Sequence, residues 1–538
     1  MKLNKLQPSD LQILMEKKYE LLDFNREKMI ETTAEAPVWI HFGAGNIFRA
    51  FHAKIAQELL NQGELKQGIV VAEGFDDEII EKVYQANDNY SILVTLKSDA
   101  SVKKTLIGSI AESHILDAAY EASYERLKNI FRNESLQIAT FTITEKGYNL
   151  WDASGKARPD VQHDFENGPQ MAESYMGKIA ALLYERYKAG QKKIALVSTD
   201  NCSHNGDKLY EAIVSYVRAW CANKKVENDF LDYVNDRSKV SFPWSMIDKI
   251  TPRPDDAVVE MLQKDGFEDM HIMVTHKNTY TAGFVNAEES GYLVIEDVFP
   301  NGRPELEKAG VIFTDRATVD KVEKMKVCTC LNPLHTALAI FGCLLGYKKI
   351  SDEMKDKYLV SLVKHLGYDE GLPVVVNPGV IDPKDFIDTV IEVRLPNVFM
   401  PDTPQRIAMD TSQKLAIRFG ETIKKYVQEE KNPGTLKYIP LVFAGWLRYL
   451  MAIDDDGNTF ELSADPMLKT VQPYVEHIKL KNTVTDEKIH YLLENERIFG
   501  VNLYDVGLAS TVLYYFNAMI SDKGAVAQLL KHVYEEGE

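Results

Sequence analysis

Cysteine is scarce in this 538-residue chain, with five residues, an odd number, scattered along it. That excludes a disulfide scaffold and reads as a reduced, cytoplasmic protein. Positive charge is also in deficit: 62 Lys and Arg face 80 Asp and Glu, for a formal net charge of −18. Such a balance opposes non-specific binding to nucleic acid or to an anionic membrane, and neither is expected as a partner. The same field repels an anionic small molecule at long range, so a site for one needs Arg and Lys gathered locally. No apolar run reaches the roughly 18 residues that span a bilayer; the richest stretch, 337–347, is shorter and broken by glycine. The charged, amphipathic opening residues lack the apolar centre of a secretion signal. Internal repeats and low-complexity segments are missing as well.

What remains is an ordinary globular composition, 45% apolar and 26% charged, in a chain too long for one core, so two domains are expected. Short apolar strands are expected at 38–42, 68–72, 92–96, 136–143 and 194–198, with helical stretches between several of them. That alternation implies a doubly wound, largely parallel α/β sheet. From about residue 311 long amphipathic helices take over, at 333–345, 404–419 and 508–520. Asp454-Asp455-Asp456-Gly457 lacks the later ligands of a calcium loop and reads as a turn.

Gly43 and Gly45 follow the first strand and precede a helical pattern, as in a dinucleotide-binding turn: the first permits the bend and the second lets backbone approach a pyrophosphate. Phe48 occupies the third glycine's place. The second strand ends in Glu73, with Asp76 as the alternative acid. A carboxylate there bonds a ribose 2′-hydroxyl and repels a 2′-phosphate, favouring NAD over NADP. An S-adenosylmethionine-dependent methyltransferase has a similar turn and acidic strand end, so these features leave both classes open.

The segment 323–335 concentrates groups suited to carbonyl reduction. Asn332-Pro333 reads as a helix start whose partial positive charge faces a developing alkoxide, with Asn332 and His335 as hydrogen-bond donors and Lys326 as a general acid.

Several motifs in order then resemble one family. They are His41-Phe42-Gly43-Ala44-Gly45-Asn46-Ile47-Phe48-Arg49, Thr142-Ile143-Thr144-Glu145-Lys146-Gly147-Tyr148, Ser198-Thr199-Asp200-Asn201-Cys202-Ser203-His204-Asn205-Gly206 and Phe242-Pro243-Trp244-Ser245-Met246-Ile247-Asp248-Lys249. Downstream come the 326–335 segment and Arg406-Ile407-Ala408-Met409-Asp410-Thr411-Ser412-Gln413-Lys414. Over about 37–470 the chain resembles the long-chain polyol-specific dehydrogenases, the mannitol dehydrogenase and fructuronate reductase family, whose glycine turn also lacks the third glycine.

The resemblance implies a metal-free NAD oxidoreductase built from an N-terminal helical extension (1–36), a Rossmann-like NAD-binding domain (37–310) and a mainly helical catalytic domain (311–538). It makes Lys326 the general acid/base, with Asn201 and Asn332 polarising the substrate oxygen, His335 fixing a hydroxyl, Asp248 tuning the lysine and Glu323 on its proton path. Arg406, Lys414 and Asn205 would hold the substrate, and the cofactor would lie on Gly43, Gly45, Asn46, Phe48, Arg49 and Glu73 or Asp76. Between Lys326 and Asn332 this chain has one residue more than the family usually shows. Glu323, three residues before Lys326, favours that lysine over Lys324. The best-fitting reaction is D-fructuronate to D-mannonate, with tagaturonate reductase and mannitol dehydrogenase as alternatives, in a monomer or small homo-oligomer.

Overall fold

The structure, a computed structural model, describes residues 1–537 and divides into two compact units, one of residues 1–97 and 101–320, the other of 321 onward with 98–100.

The first unit is built on a six-stranded sheet: β1 (Trp39–Phe42), β2 (Ile69–Glu73), β3 (Ile110–Ile115), β4 (Ile138–Phe141), β5 (Ile194–Ser198) and β6 (Val240–Ser241). Every pairing is parallel and the order is β3-β2-β1-β4-β5-β6, that of a dinucleotide-binding fold. β1, β2, β4 and β5 are buried along their whole length, which is why they read as continuous apolar runs. Ile40, Phe42, Val70 and Ala72 pack on helices Glu121–Arg132, Tyr175–Lys188 and Asn205–Ala222. Trp39, Ile69 and Val71 face helix Ala53–Asn61 and a second sheet on the other side.

That second sheet corrects one expectation. The strand expected at 92–96 forms as Ser91–Leu96, but it pairs antiparallel with Val102–Ile107 and parallel with Phe284–Glu288, outside the main sheet. Tyr19–Glu20 adds an edge to the same sheet, so residues 1–36 contribute a strand besides helices Pro8–Glu16 and Arg26–Glu35.

The second unit is mainly helical. Asn332–Leu344 and Tyr438–Leu450 are apolar nearly all round and buried, as core helices are. The helical run Arg316–Leu344 is long and apolar enough to cross a membrane, yet 72% of its most apolar stretch is buried inside the protein. The helix expected at 508–520 is Ala509–Met519, and Asp454–Gly457 is a turn closed by Gly457 N–H to the Asp454 carbonyl.

The helix expected at 404–419 is broken. Pro404–Ile407 and Thr411–Leu415 are separated by Asp410 in the left-handed region at φ +54°, a conformation Asp tolerates better than most residues. Asp410 N–H bonds the Ala464 carbonyl and Ser412 N–H bonds Asp465, partners invisible to local periodicity.

Among the described residues six π-turns interrupt helices, and three of them contain Lys326 (Lys326–Cys330), Arg394 (Val390–Arg394) and Arg418 (Ala416–Gly420). Such turns are rare and gather at functional segments.

Candidate active site

The candidate residues form two groups, one in each unit. In the first, Gly43 has φ +107° and a Cβ there would sit 2.2 Å from the Thr142 carbonyl oxygen, so only glycine fits. A Cβ at Gly45 would meet nothing within 4 Å, leaving open space over the backbone where a ligand approaches. Phe48 is buried and stacks 4.6 Å from the His41 ring. His41 in turn bonds Thr140 at 2.7 Å and Thr142 at 2.8 Å, and burial, with the nearby His52, holds its pKa well below the usual range.

Four residues read as cofactor contacts, Glu73, Arg49, Asn46 and Asp76, make hydrogen bonds within the protein. Glu73 is 6% exposed; Oε2 accepts from Ala44 N–H at 2.8 Å, while Oε1 accepts from Gly74 and Phe75 N–H at 2.9 and 2.7 Å. It braces the glycine turn from below instead of standing open at the strand end. Burial raises its pKa, against the pull of those N–H groups. Arg49 is buried, donating to the Ala282 carbonyl at 2.7 Å and to Asn46 Oδ1 at 2.9 Å, so Arg49 and Asn46 lock the turn to the second sheet. Asp76 is buried and accepts from Thr275 Oγ1 at 2.6 Å. Its neighbour Phe75 is 65% exposed, an apolar surface at the strand end that the sequence reading passed over.

At the ends of β4 and β5, Asp200 accepts from Ile143 N–H at 3.0 Å, Thr144 N–H at 2.8 Å and Tyr148 Oη at 2.6 Å, tying the two loops together. Burial raises its pKa. Asn201, next in the chain, is exposed. Asn205 is not available to substrate. Its Nδ2 donates to the carbonyls of Asp200 and Ser245 at 3.0 Å, and its Oδ1 accepts from Ser245 N–H at 3.0 Å. Both amide donors are engaged, and the residue positions the loop that carries Asn201. Asp248 is buried at the end of strand Ser245–Asp248.

One convergence of metal-type ligands exists among the described residues, Asp76, Glu78 and His276, with donor atoms within 4.8 Å of one another. Glu78 is already paired with Lys82 at 2.7 Å.

In the second unit Lys326 is 4% exposed and opens the π-turn, whereas Lys324 is exposed. Glu323 is half-buried on the helix before it. The helix start expected here is found, one position off in its cap: Asn332–Leu344 opens from Leu331 at φ −127°, whose carbonyl accepts from His335 N–H, and Pro333 lies in its first turn, so Asn332 is the first helical residue and not the cap.

His335 Nε2 is buried without a hydrogen-bond partner, 3.4 Å from Asp402 Oδ2. Burial above all, with smaller contributions from Arg418, Arg406 and Arg394, lowers its pKa to about 4 against the pull of Asp402. The ring is therefore neutral at ordinary pH. Arg406 pairs with Asp402. Lys414 donates to the Ile407 and Met409 carbonyls, and burial lowers its pKa. Arg418, which the sequence reading missed, stands four residues after Lys414, a spacing that could have flagged it; Arg394 and Asp402 gave no local signal.

Family models match most of this chain, the mannitol dehydrogenase Rossmann domain over residues 38–308 and the mannitol dehydrogenase C-terminal domain over 318–520. The chain belongs to the mannitol dehydrogenase family. It is 53% identical to a D-mannonate oxidoreductase of Thermotoga maritima, over 95% of each chain. It is 30% identical to a D-mannonate oxidoreductase of Escherichia coli, over 80% of this chain and 84% of that one. Among solved structures, a mannitol 2-dehydrogenase of Pseudomonas fluorescens, a ternary complex with NAD and D-mannitol, matches with TM-score 0.69 and 26% identity over the whole of both chains. A substrate-free D-sorbitol dehydrogenase shares the fold, with TM-score 0.78 at 23% identity over 95% of this chain and 97% of that one. Membership of this family of dehydrogenases resolves the choice that the glycine turn left open against the methyltransferase.

Proposed function

We propose that the protein interconverts D-fructuronate and D-mannonate with NADH and NAD. It is an oxidoreductase acting on a CH–OH group of a small sugar acid or polyol. The observation that carries the sugar-acid reading is the gathering of Arg394, Arg406 and Arg418 about His335, with Lys414 beside Arg418 and Arg406, in a chain whose net charge of −18 repels an anion at long range and so needs local cations to receive one. The 53% identity to a D-mannonate oxidoreductase supports the same substrate.

The open backbone at Gly45 and the side-chain-free bend at Gly43 fit a dinucleotide pyrophosphate. NADH, when bound, supplies the hydride. Lys326 donates the proton to the substrate oxygen on reduction and takes it back on oxidation. The register of Lys326 is supported by its burial against the exposure of Lys324. It is supported also by the π-turn, which takes up one extra residue and so absorbs the insertion between Lys326 and Asn332. The Asn201 and Asn332 amides share the transient negative charge, worth roughly 3 kcal/mol for each well-placed donor. Neutral His335 bonds a substrate hydroxyl, Asp248 tunes the lysine and Glu323 relays its proton. The five free thiols suit a cytoplasmic protein, acting as a monomer or small homo-oligomer.

The test is NADH oxidation over D-fructuronate, D-tagaturonate and D-fructose, repeated with NADPH. The highest kcat/KM is expected for fructuronate with NADH. A maximum at tagaturonate or fructose transfers the assignment to that substrate, and no oxidation with any of the three refutes it.

A further inference from the structure

Arg418 is the cation of this cluster that the fold leaves least accounted for. Its guanidinium is largely buried, enough to lower its pKa to about 10. Among the described residues it pairs with no carboxylate, and its one hydrogen bond goes from Nη1 to Thr336 Oγ1. Thr336 follows His335 in the chain and donates its own hydroxyl to the Asn332 carbonyl at 2.8 Å. The guanidinium is thereby held against the turn that carries Asn332 and His335, while Nε and Nη2 meet no protein acceptor. Its neighbours are otherwise provided for: Arg406 pairs with Asp402, and Lys414 donates to two carbonyls. A guanidinium drawn partly out of water without a counter-ion costs stability, and its planar fork suits a carboxylate held by two parallel hydrogen bonds.

We infer that Arg418 receives the substrate's carboxylate and is the residue that makes the enzyme select a sugar acid over the corresponding neutral sugar. The inference rests on the reading of the second unit as the substrate-binding half. It goes beyond that reading in assigning discrimination to Arg418 and not to Arg406 or Lys414.

The experiment measures selectivity in wild type and Arg418→Gln in two ways. The first is the ratio of kcat/KM for D-fructuronate to that for D-fructose with NADH. The second is the ratio of affinities for D-mannonate and D-mannitol by calorimetry in the presence of NAD. Loss of one charged, two-point contact predicts a fall in both ratios of about 10- to 100-fold, carried by KM more than kcat. Unchanged ratios, or equal losses on acid and neutral compounds, overturn the inference. Should wild type fail to reduce fructuronate, the reaction assignment falls but Arg418 is still judged by binding. Wild type preferring mannonate and the variant not preferring it upholds the inference; wild type without preference refutes it. If Arg418→Gln does not fold, Arg418→Lys keeps the charge without the fork, and both ratios are expected to fall by about 3- to 10-fold; no fall refutes the inference.

Discussion

The candidate-site side chains of the two units differ in how far the protein itself engages them. Around the glycine turn of the first, the side chains read as cofactor contacts spend most of their hydrogen bonds on the protein itself, with Arg49 Nε and Asp76 Oδ1 left over. Glu73 gathers backbone N–H groups, Arg49 ties Asn46 to the second sheet, Asp200 joins two loops and Asn205 holds the next strand. In the second, His335 Nε2 is buried without a hydrogen-bond partner, and the part-buried Arg418 makes a single hydrogen bond, to Thr336. A buried polar atom without a partner destabilises a fold by roughly 1–3 kcal/mol, a loss that the proposed substrate hydroxyl would recover at His335. In the first unit the side chains hold the shape of a turn whose backbone is open at Gly45.

The comparison is broken most severely at Lys326. Lys326→Ala should lower kcat by about 10²- to 10⁴-fold, the usual range for removing a general acid, while NADH affinity, followed by fluorescence titration, stays within about twofold. Lys324→Ala, at an exposed position, should cost less than about threefold. If the two variants exchange these behaviours, the register of the 323–335 segment is wrong, and the chemistry belongs to Lys324.

The sequence made the scaffold legible where single residues or short runs carry the information. β1, β2, β4 and β5 stood out because each is buried along its whole length and bounded by turns, and Gly43 because its bend admits no Cβ. Lys326, Asn332 and His335 were picked out as candidates by the residue types gathered in one segment. What escaped depends on partners distant in sequence. Glu73 looked like a strand-end acid because its contact with Ala44, 29 positions earlier, leaves no local trace. Asn205 is occupied by Ser245, 40 residues on. The helix through 404–419 breaks on Ala464 and Asp465. Arg418 resembled any charge on a solvated helix face, and only burial distinguishes it.

Glu73 gives the next largest effect and sharpens the contrast directly. Glu73→Gln turns one acceptor oxygen into an NH₂ group facing N–H donors, so the glycine turn loses its brace. The expected result is a rise in KM for NADH and NADPH together, about tenfold each, with their ratio unchanged. A selective gain with NADPH would instead put the carboxylate at the ribose and return Glu73 to the role its sequence position suggested.

The smallest effect concerns an unpaired group of a different kind. Glu353 in the second unit is fully buried, both its carboxylate oxygens lack partners, and Gly342 packs so closely that a Cβ there would lie 2.1 Å from Oε1. Burial, reinforced by Asp356, raises its pKa to about 9 from an ordinary 4.5. With its folded pKa above its unfolded one, the folded state holds one more proton between those two values. Stability therefore falls as pH rises through that window, by at most about 1.4 kcal/mol per pH unit. Glu353→Gln keeps the shape without the titration. It should raise Tm at pH 8 by about 5 °C, a gain of about 2 kcal/mol in a unit of this size, and leave Tm at pH 5 nearly unchanged. Thermal melts of both proteins across pH 5–9 test this. Parallel curves would mean that Glu353 stays charged and that a partner reaches it, which would place it with the ligand-facing groups of the second unit and not with its packed core.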